Sequence, residues 1–109
     1  MAVRICAEDE LEVDHAIKVV IDGTPIALVK DRGGTLHAIG DTCSHAEISL
    51  SEGFVEDHHI ECWAHGARFD LATGRALALP AFDPVPVYDV LLVDGDVYID
   101  MGIQYEEAG

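Results

Sequence analysis

Apolar and polar positions alternate along the first forty residues in short runs that are typical of β-strands. Residues 16–21 are rich in β-branched side chains and lead into the turn sequence 22–25, which contains glycine and proline. Two further apolar runs follow at 26–30 and 35–39, separated by the glycine-containing segment 31–34. Short strands joined by tight turns predict an antiparallel β-meander.

The second half of the chain shows the same kind of pattern. Three more hairpins are expected, pairing 53–55 with 60–62, 68–71 with 75–77, and 85–93 with 97–101. The last pair is joined by Asp-Gly-Asp, a strong hairpin sequence. No segment of ten or more residues shows a helical apolar period with caps at both ends, although 8–16 could contain a helical turn. The chain is therefore expected to be all-β.

The length of 109 residues, half of them hydrophobic, fits one domain, 1–109. A chain of this size buries roughly 60–70% of its unfolded surface, which suffices for a modest core. Region 41–80 has shorter apolar runs, and we expect it to form a small subdomain inserted in a larger antiparallel sandwich or barrel-like base. Residues 104–109 are expected to be a flexible tail.

The charge is strongly negative, with 21 acidic residues against 6 basic ones and a net charge of −15. Such a surface repels nucleic acids and anionic membranes. No run approaches the roughly 20 apolar residues that a membrane span needs, and the N-terminal segment is too acidic for a signal peptide. We expect a soluble cytoplasmic protein. The acidity could steer it towards basic partners or could serve only solubility.

Several single residues are expected to have ordinary structural roles. Cys6 lies in the apolar run 3–7 and is expected to be a buried small hydrophobe rather than a redox residue. The other two cysteines belong to the motif described below, so the chain has no disulfide framework, as is usual in a reducing compartment. No partner can be named for His15 or His37. Solvated positions are expected for the turn histidines and for the acidic residues near the motif: His58, His59, Asp41, Glu47 and Glu52.

Two short cysteine–histidine segments carry the candidate chemistry. Cys43 and His45 form C-x-H, and after sixteen residues Cys62 and His65 form C-x-x-H. Zinc sites with two Cys and two His usually group like ligands together. Here the types are interleaved, which suits a centre with two unequal metals, one bound by sulfur and one by nitrogen. A zinc site with the same four ligands remains the alternative.

With its C-x-x-H-G continuation, which includes Gly66, this pattern resembles the loops of Rieske iron–sulfur proteins. From about residue 3 to residue 101 the chain is similar to the Rieske ferredoxins of bacterial aromatic-ring dioxygenase systems. The resemblance implies the Rieske fold, with 41–80 as the cluster-binding subdomain and one [2Fe–2S] cluster per chain. The four ligands that it implies are Cys43 and Cys62 on one iron, and His45 and His65 on the other.

Two further positions are expected beside the cluster. Trp63 lies between two ligands and could shield the cluster from water or could simply pack. Pro80 lies in the segment 79–84, which resembles the proline-bearing loop that covers the cluster in the family; its rigid backbone would limit reorganisation.

The neighbours of the ligands indicate a low reduction potential. High-potential Rieske proteins of respiratory complexes have a disulfide between the loops and serine and tyrosine hydroxyls that bond to sulfur. At those positions this chain has Ile48, Ala64, Ala67 and Phe69. Because hydrogen bonds to sulfur stabilise the reduced state, their absence predicts a potential near the low end of the roughly −150 to +300 mV Rieske range.

The resemblance implies a one-electron carrier rather than an enzyme. Its expected partners are an NAD(P)H-dependent flavoprotein reductase and a terminal oxygenase, and the chain is expected to be a monomer. No space remains for the 2-His-1-carboxylate iron domain of the oxygenases themselves. The alternative is a stand-alone Rieske protein with a regulatory or accessory role, such as redox sensing or iron–sulfur maturation.

Overall fold

Ten antiparallel strands make up most of the part of the chain that this computed structural model describes, namely residues 2–43, 48–63, 66–78 and 84–105. The strands are β1 (Ala2–Ala7), β2 (His15–Ile21), β3 (Thr24–Lys30), β4 (Leu36–Gly40), β5 (Phe54–Glu56), β6 (His59–Glu61), β7 (Arg68–Asp70), β8 (Ala76–Ala78), β9 (Val87–Val93) and β10 (Asp96–Tyr105). Two short 3₁₀ turns, Glu8–Glu10 and Leu50–Glu52, are the helical elements of this described part.

The strands form a larger and a smaller sheet. The larger has the order β1-β10-β9-β4-β3-β2, and the smaller has the order β5-β6-β7-β8. Residues 3–5 of β1 and 19–21 of β2 line the same cleft, so the two edges of the larger sheet face each other. This curled sheet is the barrel-like base that the sequence predicts, and the smaller sheet lies within the predicted insert 41–80.

The buried side chains form two core clusters because β3 is buried on both faces. Ala27 and Val29 face the smaller sheet and pack with its Ile60 and Phe69. Ile26 and Leu28 point into the curl of the larger sheet and pack with residues of β9 and β10. All four of these β3 side chains are fully buried. The two clusters therefore share one strand, which couples the smaller sheet to the base.

Two Asp-Gly turns connect the strands of hairpins, as the sequence predicts. Asp22 and Gly23 join β2 to β3 with φ of 49° and 78°, and Asp94 and Gly95 join β9 to β10 with φ of 51° and 81°. Positive φ at both central residues is the type I′ geometry that matches the twist of the strands, and aspartate and glycine tolerate it best.

Three features differ from the sequence prediction. No strand was predicted before residue 16, but the apolar run at residues 3–7 lies in β1, which pairs with β10 on both sides of a bulge at Ile5. The possible helical turn within 8–16 is only the three residues Glu8–Glu10. The tail does not begin at residue 104: after an irregular stretch at 101–103, Gln104 and Tyr105 pair again with Tyr88 and Val87, and 106–109 lie outside the described residues.

Asp31, at the end of β3, is a buried carboxylate with an extensive set of donors. Its Oδ1 accepts the N–H groups of Gly33 and Thr35, both at 2.9 Å, and its Oδ2 lies 2.8 Å from His37 Nε2. His37, for which the sequence offered no partner, therefore has one. The exposed ring of His58 lies 3.8 Å from the same oxygen, so this turn also links the two sheets.

The pKa of Asp31 reflects this competition. Burial acts to raise it, but the hydrogen bonds from His37, Thr35 and Gly33 and the charge of His37 outweigh burial and hold it below its ordinary value. A group whose pKa is lower in the folded state stabilises the fold above its unfolded pKa of about 3.9. This contribution is lost as the pH falls through the folded pKa.

Replacement of Asp31 by alanine should lower the free energy of unfolding by about 2–4 kcal/mol near neutral pH, because three donors lose a buried, charged acceptor. Urea unfolding between pH 7 and pH 3 should show the gap to the wild type narrowing on the acid side. Asp9→Ala, in the exposed 3₁₀ turn, is the control and should cost less than about 0.5 kcal/mol. A gap that widens towards acid pH would contradict this account.

Candidate metal centre

The first candidate loop lies between β4 and the 3₁₀ turn Leu50–Glu52. Thr42 and Ser49 form an antiparallel bridge that closes the six-residue loop 43–48. Cys43, the first residue of this loop, donates its N–H to the carbonyl of Ile48 at 2.9 Å. Its side chain is 2% exposed. The loop is thus pinned at its base with its cysteine turned into the protein.

The second loop is closed in the same way. Glu61 pairs with Arg68 at the ends of β6 and β7, and this pair again encloses six residues, 62–67. Cys62 donates its N–H to the carbonyl of Ala67 at 2.7 Å, and its own carbonyl accepts the N–H of Gly66 at 3.1 Å. Gly66 has φ of 76°, a left-handed conformation that glycine adopts without strain. This explains the glycine that follows the predicted ligand.

The two loops therefore share one construction, although the sequence spacing within them differs. Each begins with a cysteine whose N–H bonds to the carbonyl five residues later. Cys43 and Cys62 belong to the same buried core cluster, so the structure brings the two thiols to one region. His45 and His65 fall within these loops, at 44–47 and 64–65, outside the described residues.

Apolar side chains surround the cysteines. Ala67 and Phe69 are fully buried in the same cluster as both thiols, and Ile48 packs against that cluster. These positions carry the hydroxyls and a disulfide cysteine in the high-potential Rieske branch. No described residue forms a disulfide, and all three cysteines of the chain are described. High-potential Rieske proteins have hydrogen-bond donors to sulfur at these positions, whereas this chain has apolar side chains there.

The other predicted neighbours fare differently. Trp63 is 53% exposed, so the ordinary packing role considered for it does not hold, while its shielding of a cluster stays a prediction. Pro80 and the remainder of the cover loop at 79–83 lie outside the described residues. Cys6 packs against the second core cluster, and burial together with Glu10 raises the pKa of its thiol. A thiol of this kind is a weak nucleophile.

Asp41 is a residue that the sequence interpretation placed wrongly. It was expected on a solvated face, but it is only 1% exposed. Its Oδ1 accepts the N–H of Ser51 at 2.8 Å, which gives the carboxylate a partner inside the protein. The residue lies two positions before Cys43, where an aspartate reads as part of a polar loop. Glu52 is exposed as expected, and Glu47 lies outside the described residues.

The donor set fits an iron–sulfur centre better than a redox-active disulfide or a nucleophilic cysteine. Two thiols that are not bonded to each other sit in one buried cluster, each at the start of a closed loop that contains one histidine. Thiolates and imidazoles are ligands of a Rieske centre, and buried thiolates require such a metal to offset their charge.

A family comparison decides between the metals. The profile of the Rieske [2Fe-2S] domain matches residues 1–89. The chain belongs to this family. Its Rieske [2Fe–2S] cofactor and its all-β Rieske fold, both expected from the sequence, are confirmed. The zinc alternative is set aside.

Several similar proteins are ferredoxin components of oxygenase systems. The chain is 42% identical over 99 residues to the 3-phenylpropionate/cinnamic acid dioxygenase ferredoxin subunit of Escherichia coli strain K12, covering 90% of this chain and 93% of that protein. It resembles the ferredoxin of carbazole 1,9a-dioxygenase from Nocardioides aromaticivorans IC177, with 35% identity, a TM-score of 0.87, and coverage of 91% and 96%.

A third relative is the structure of a complex of reduced oxygenase and oxidized ferredoxin in carbazole 1,9a-dioxygenase. The match has 31% identity and a TM-score of 0.85, and covers 90% of this chain and all of the matched one. The predicted resemblance to dioxygenase ferredoxins is thus confirmed. Within the described residues, no helix is long and apolar enough to cross a membrane.

Installing a hydroxyl beside the buried thiols tests the influence of the apolar surroundings. Phe69→Tyr should raise the reduction potential, because a hydroxyl that bonds to sulfur favours the reduced state. A difference of about 1 kcal/mol between the two redox states corresponds to about 40 mV for one electron. The measurement is a redox titration of the visible spectrum.

The matched control is Phe54→Tyr, which adds the same hydroxyl to a side chain that is 59% exposed on the smaller sheet. Its potential should equal that of the wild type. An intact cluster in Phe69→Tyr with an unchanged potential would contradict the prediction.

Proposed function

We propose that this protein is a one-electron carrier that takes electrons from an NAD(P)H-dependent flavoprotein reductase and delivers them to a terminal oxygenase, as a monomer in the cytoplasm. The observation that carries the proposal is the pair of equivalently closed loops with their buried cysteines in a Rieske chain. The related ferredoxins named above belong to dioxygenase systems, and one is seen with its oxygenase.

The proposed ligands are Cys43 and Cys62 for one iron, and His45 and His65 for the other. Support for the cysteines comes from their shared burial, and support for the histidines comes from their place inside the two closed loops. Residues 41–80 of the single domain 1–109 would form the cluster-binding subdomain. Trp63, Gly66 and Pro80 would complete the surroundings.

When bound, the [2Fe–2S] cluster supplies reversible uptake of one electron. The protein sets how readily this occurs. Two imidazoles in place of two thiolates remove negative charge from one iron, which raises the potential above that of clusters with four cysteines. Buried Ala67 and Phe69 offer no side-chain donors to sulfur, and this keeps the reduction potential in the lower part of the Rieske range. Such a potential suits transfer between a flavin and an oxygenase.

The ligand assignment predicts which substitutions remove the cluster. Cys43→Ala, Cys62→Ala, His45→Ala and His65→Ala should each reduce bound iron to less than about a tenth of the wild-type amount and destabilise the smaller sheet, because cluster binding contributes to folding. Iron and sulfide analysis with the visible spectrum provides the measurement.

Matched controls exist for both ligand types. Cys6→Ala removes a thiol on β1, and His58→Ala removes an imidazole that is 80% exposed in the turn before β6. Both variants should keep two irons and two sulfides per chain. A normal spectrum in His45→Ala, or stoichiometric zinc in the wild type after anaerobic expression, would overturn the assignment.

The charge of −15 predicts how transfer depends on salt. If basic partners steer this acidic protein, its reduction by a flavoprotein reductase and its reoxidation by an oxygenase should both slow about tenfold or more between about 10 mM and 300 mM salt. Stopped-flow absorbance measures both steps. A reducible cluster that no oxygenase reoxidises would refute the proposed role and favour a regulatory or accessory one.

A further inference from the structure

Two buried carboxylates stand at opposite ends of β4. Asp31 precedes the strand across a short turn and is 3% exposed; Asp41 follows it directly and is 1% exposed. They are the two charged residues that are buried among those that the structure describes. Both accept backbone N–H groups, but only Asp41 adjoins a ligand loop. The five residues of β4 span about 17 Å, which separates the two charges.

Asp41 holds both ends of the first loop through two of its oxygens. Its carbonyl accepts the N–H of Leu50 at 2.6 Å, and its carboxylate accepts the N–H of Ser51 at 2.8 Å. Its own N–H donates to the carbonyl of Pro25 on β3 at 3.1 Å. Asp41 lies before loop 43–48, and Leu50 and Ser51 lie after it. The residue therefore fastens the loop to itself and to the base.

The second loop has no equivalent buried carboxylate among the described residues. Its closing pair carries an ion pair instead, with Arg68 Nε donating to Glu61 Oε1 at 3.0 Å and the two side chains 51% and 32% exposed. The charges of this pair largely compensate one another and are screened by water. Among the described residues, only the first ligand loop therefore has a buried carboxylate beside it, that of Asp41.

The position of Asp41 gives its charge an effect on the metal centre. The Cα atoms of Asp41 and Cys43, two residues apart, cannot be separated by more than about 7 Å, and the buried carboxylate of Asp41 lies at the base of the loop that Cys43 begins. A buried charge is screened far less than an exposed one. Adding an electron near a fixed negative charge is unfavourable, so such a charge lowers the reduction potential.

We propose that Asp41 is a positioning residue for the cluster, one that fixes the first ligand loop at its base and lowers the reduction potential through its buried charge. The inference rests on the assignment of Cys43 as a ligand. It adds a determinant of potential that is separate from the missing hydroxyls, because it acts through charge and loop geometry rather than through a bond to sulfur.

The test compares the same substitution at the two ends of β4. Asp41→Asn keeps an oxygen that accepts the Ser51 N–H and removes the charge; it should retain two irons per chain and raise the potential. Asp31→Asn removes an equally buried charge far from the loops; it should lower stability but shift the potential several-fold less. Redox titration, iron analysis and urea unfolding measure the three quantities.

A second substitution separates loop fixation from charge. Asp41→Ala removes the acceptor as well, and it should bind less iron and lose its cluster faster than Asp41→Asn, so that the amide rescues what alanine loses. Equal iron retention in these two variants would overturn the positioning role. A potential in Asp41→Asn that equals the wild-type value, or that moves no more than in Asp31→Asn, would overturn the charge effect.

If Asp41→Asn does not retain its cluster, Asp41→Glu decides, because it keeps the charge: a wild-type potential supports the inference and a raised one overturns it. Failure of this inference can be told apart from failure of the ligand assignment on which it rests. Cys43→Ala tests ligation by iron content alone, whereas the asparagine variants are compared as loaded proteins.

Discussion

Two backbone hydrogen bonds govern the geometry of this protein, each from a cysteine N–H to the carbonyl five residues along the chain. They close two six-residue loops, and the cysteine at the start of each loop is buried in the same core cluster. Neither bond contributes much by itself, since a backbone hydrogen bond is worth about 1 kcal/mol net. Their value lies in position, because each fixes the main chain of a cysteine relative to the strand pair beneath it.

The loops can act together because the smaller sheet is packed against the base. Ile60 and Phe69 of β6 and β7 share a core cluster with Ala27 and Val29 of β3, and both cysteines belong to that cluster. A shift of one sheet relative to the other would therefore separate the thiols. A cluster held by both loops, as proposed, would stabilise the fold, because ligation and packing would then join the same two pieces of the chain.

Sequence reasoning succeeded where one local rule decides the outcome. The Asp-Gly pairs at 22–23 and 94–95 specify type I′ turns, and the strands on either side follow from runs of β-branched and apolar residues. The interleaved ligand pattern, through the family resemblance that it carries, likewise predicted the cofactor that the family comparison confirms. It failed where a distant contact overrides local character: Ile5 bulges out of β1, and the pairing of β10 resumes only after three irregular residues.

Burial of charge was the second kind of failure, and it has one cause. Asp41 was expected to be solvated and no burial was predicted for Asp31, because a sequence cannot show that backbone N–H groups converge on these carboxylates. Asp31 receives Gly33 and Thr35, and Asp41 receives Ser51. Their donors lie two to ten residues away, within turns that the carboxylates themselves help to form. The burial of each carboxylate and the conformation of the turn that donates to it thus depend on each other.

Negative residues act in two ways in this protein: surface charges affect encounter with partners, and a buried charge is proposed to affect the reduction potential. Arg4, Lys30, Arg32 and Arg68 each pair with a local carboxylate, so the basic side chains do little to offset the acidic excess elsewhere on the surface. The excess acts over distances up to the Debye length, roughly 8–10 Å in physiological salt, and so affects encounter with partners.

A buried carboxylate follows a different rule, because salt screens a buried charge far less than an exposed one. The effect proposed for Asp41 on the reduction potential should therefore depend little on salt, while the surface charges influence mainly the rate at which partners meet. Changing the salt concentration should alter the second quantity and leave the first nearly constant. The rate of encounter with partners and the reduction potential can thus be tuned separately in one small acidic protein.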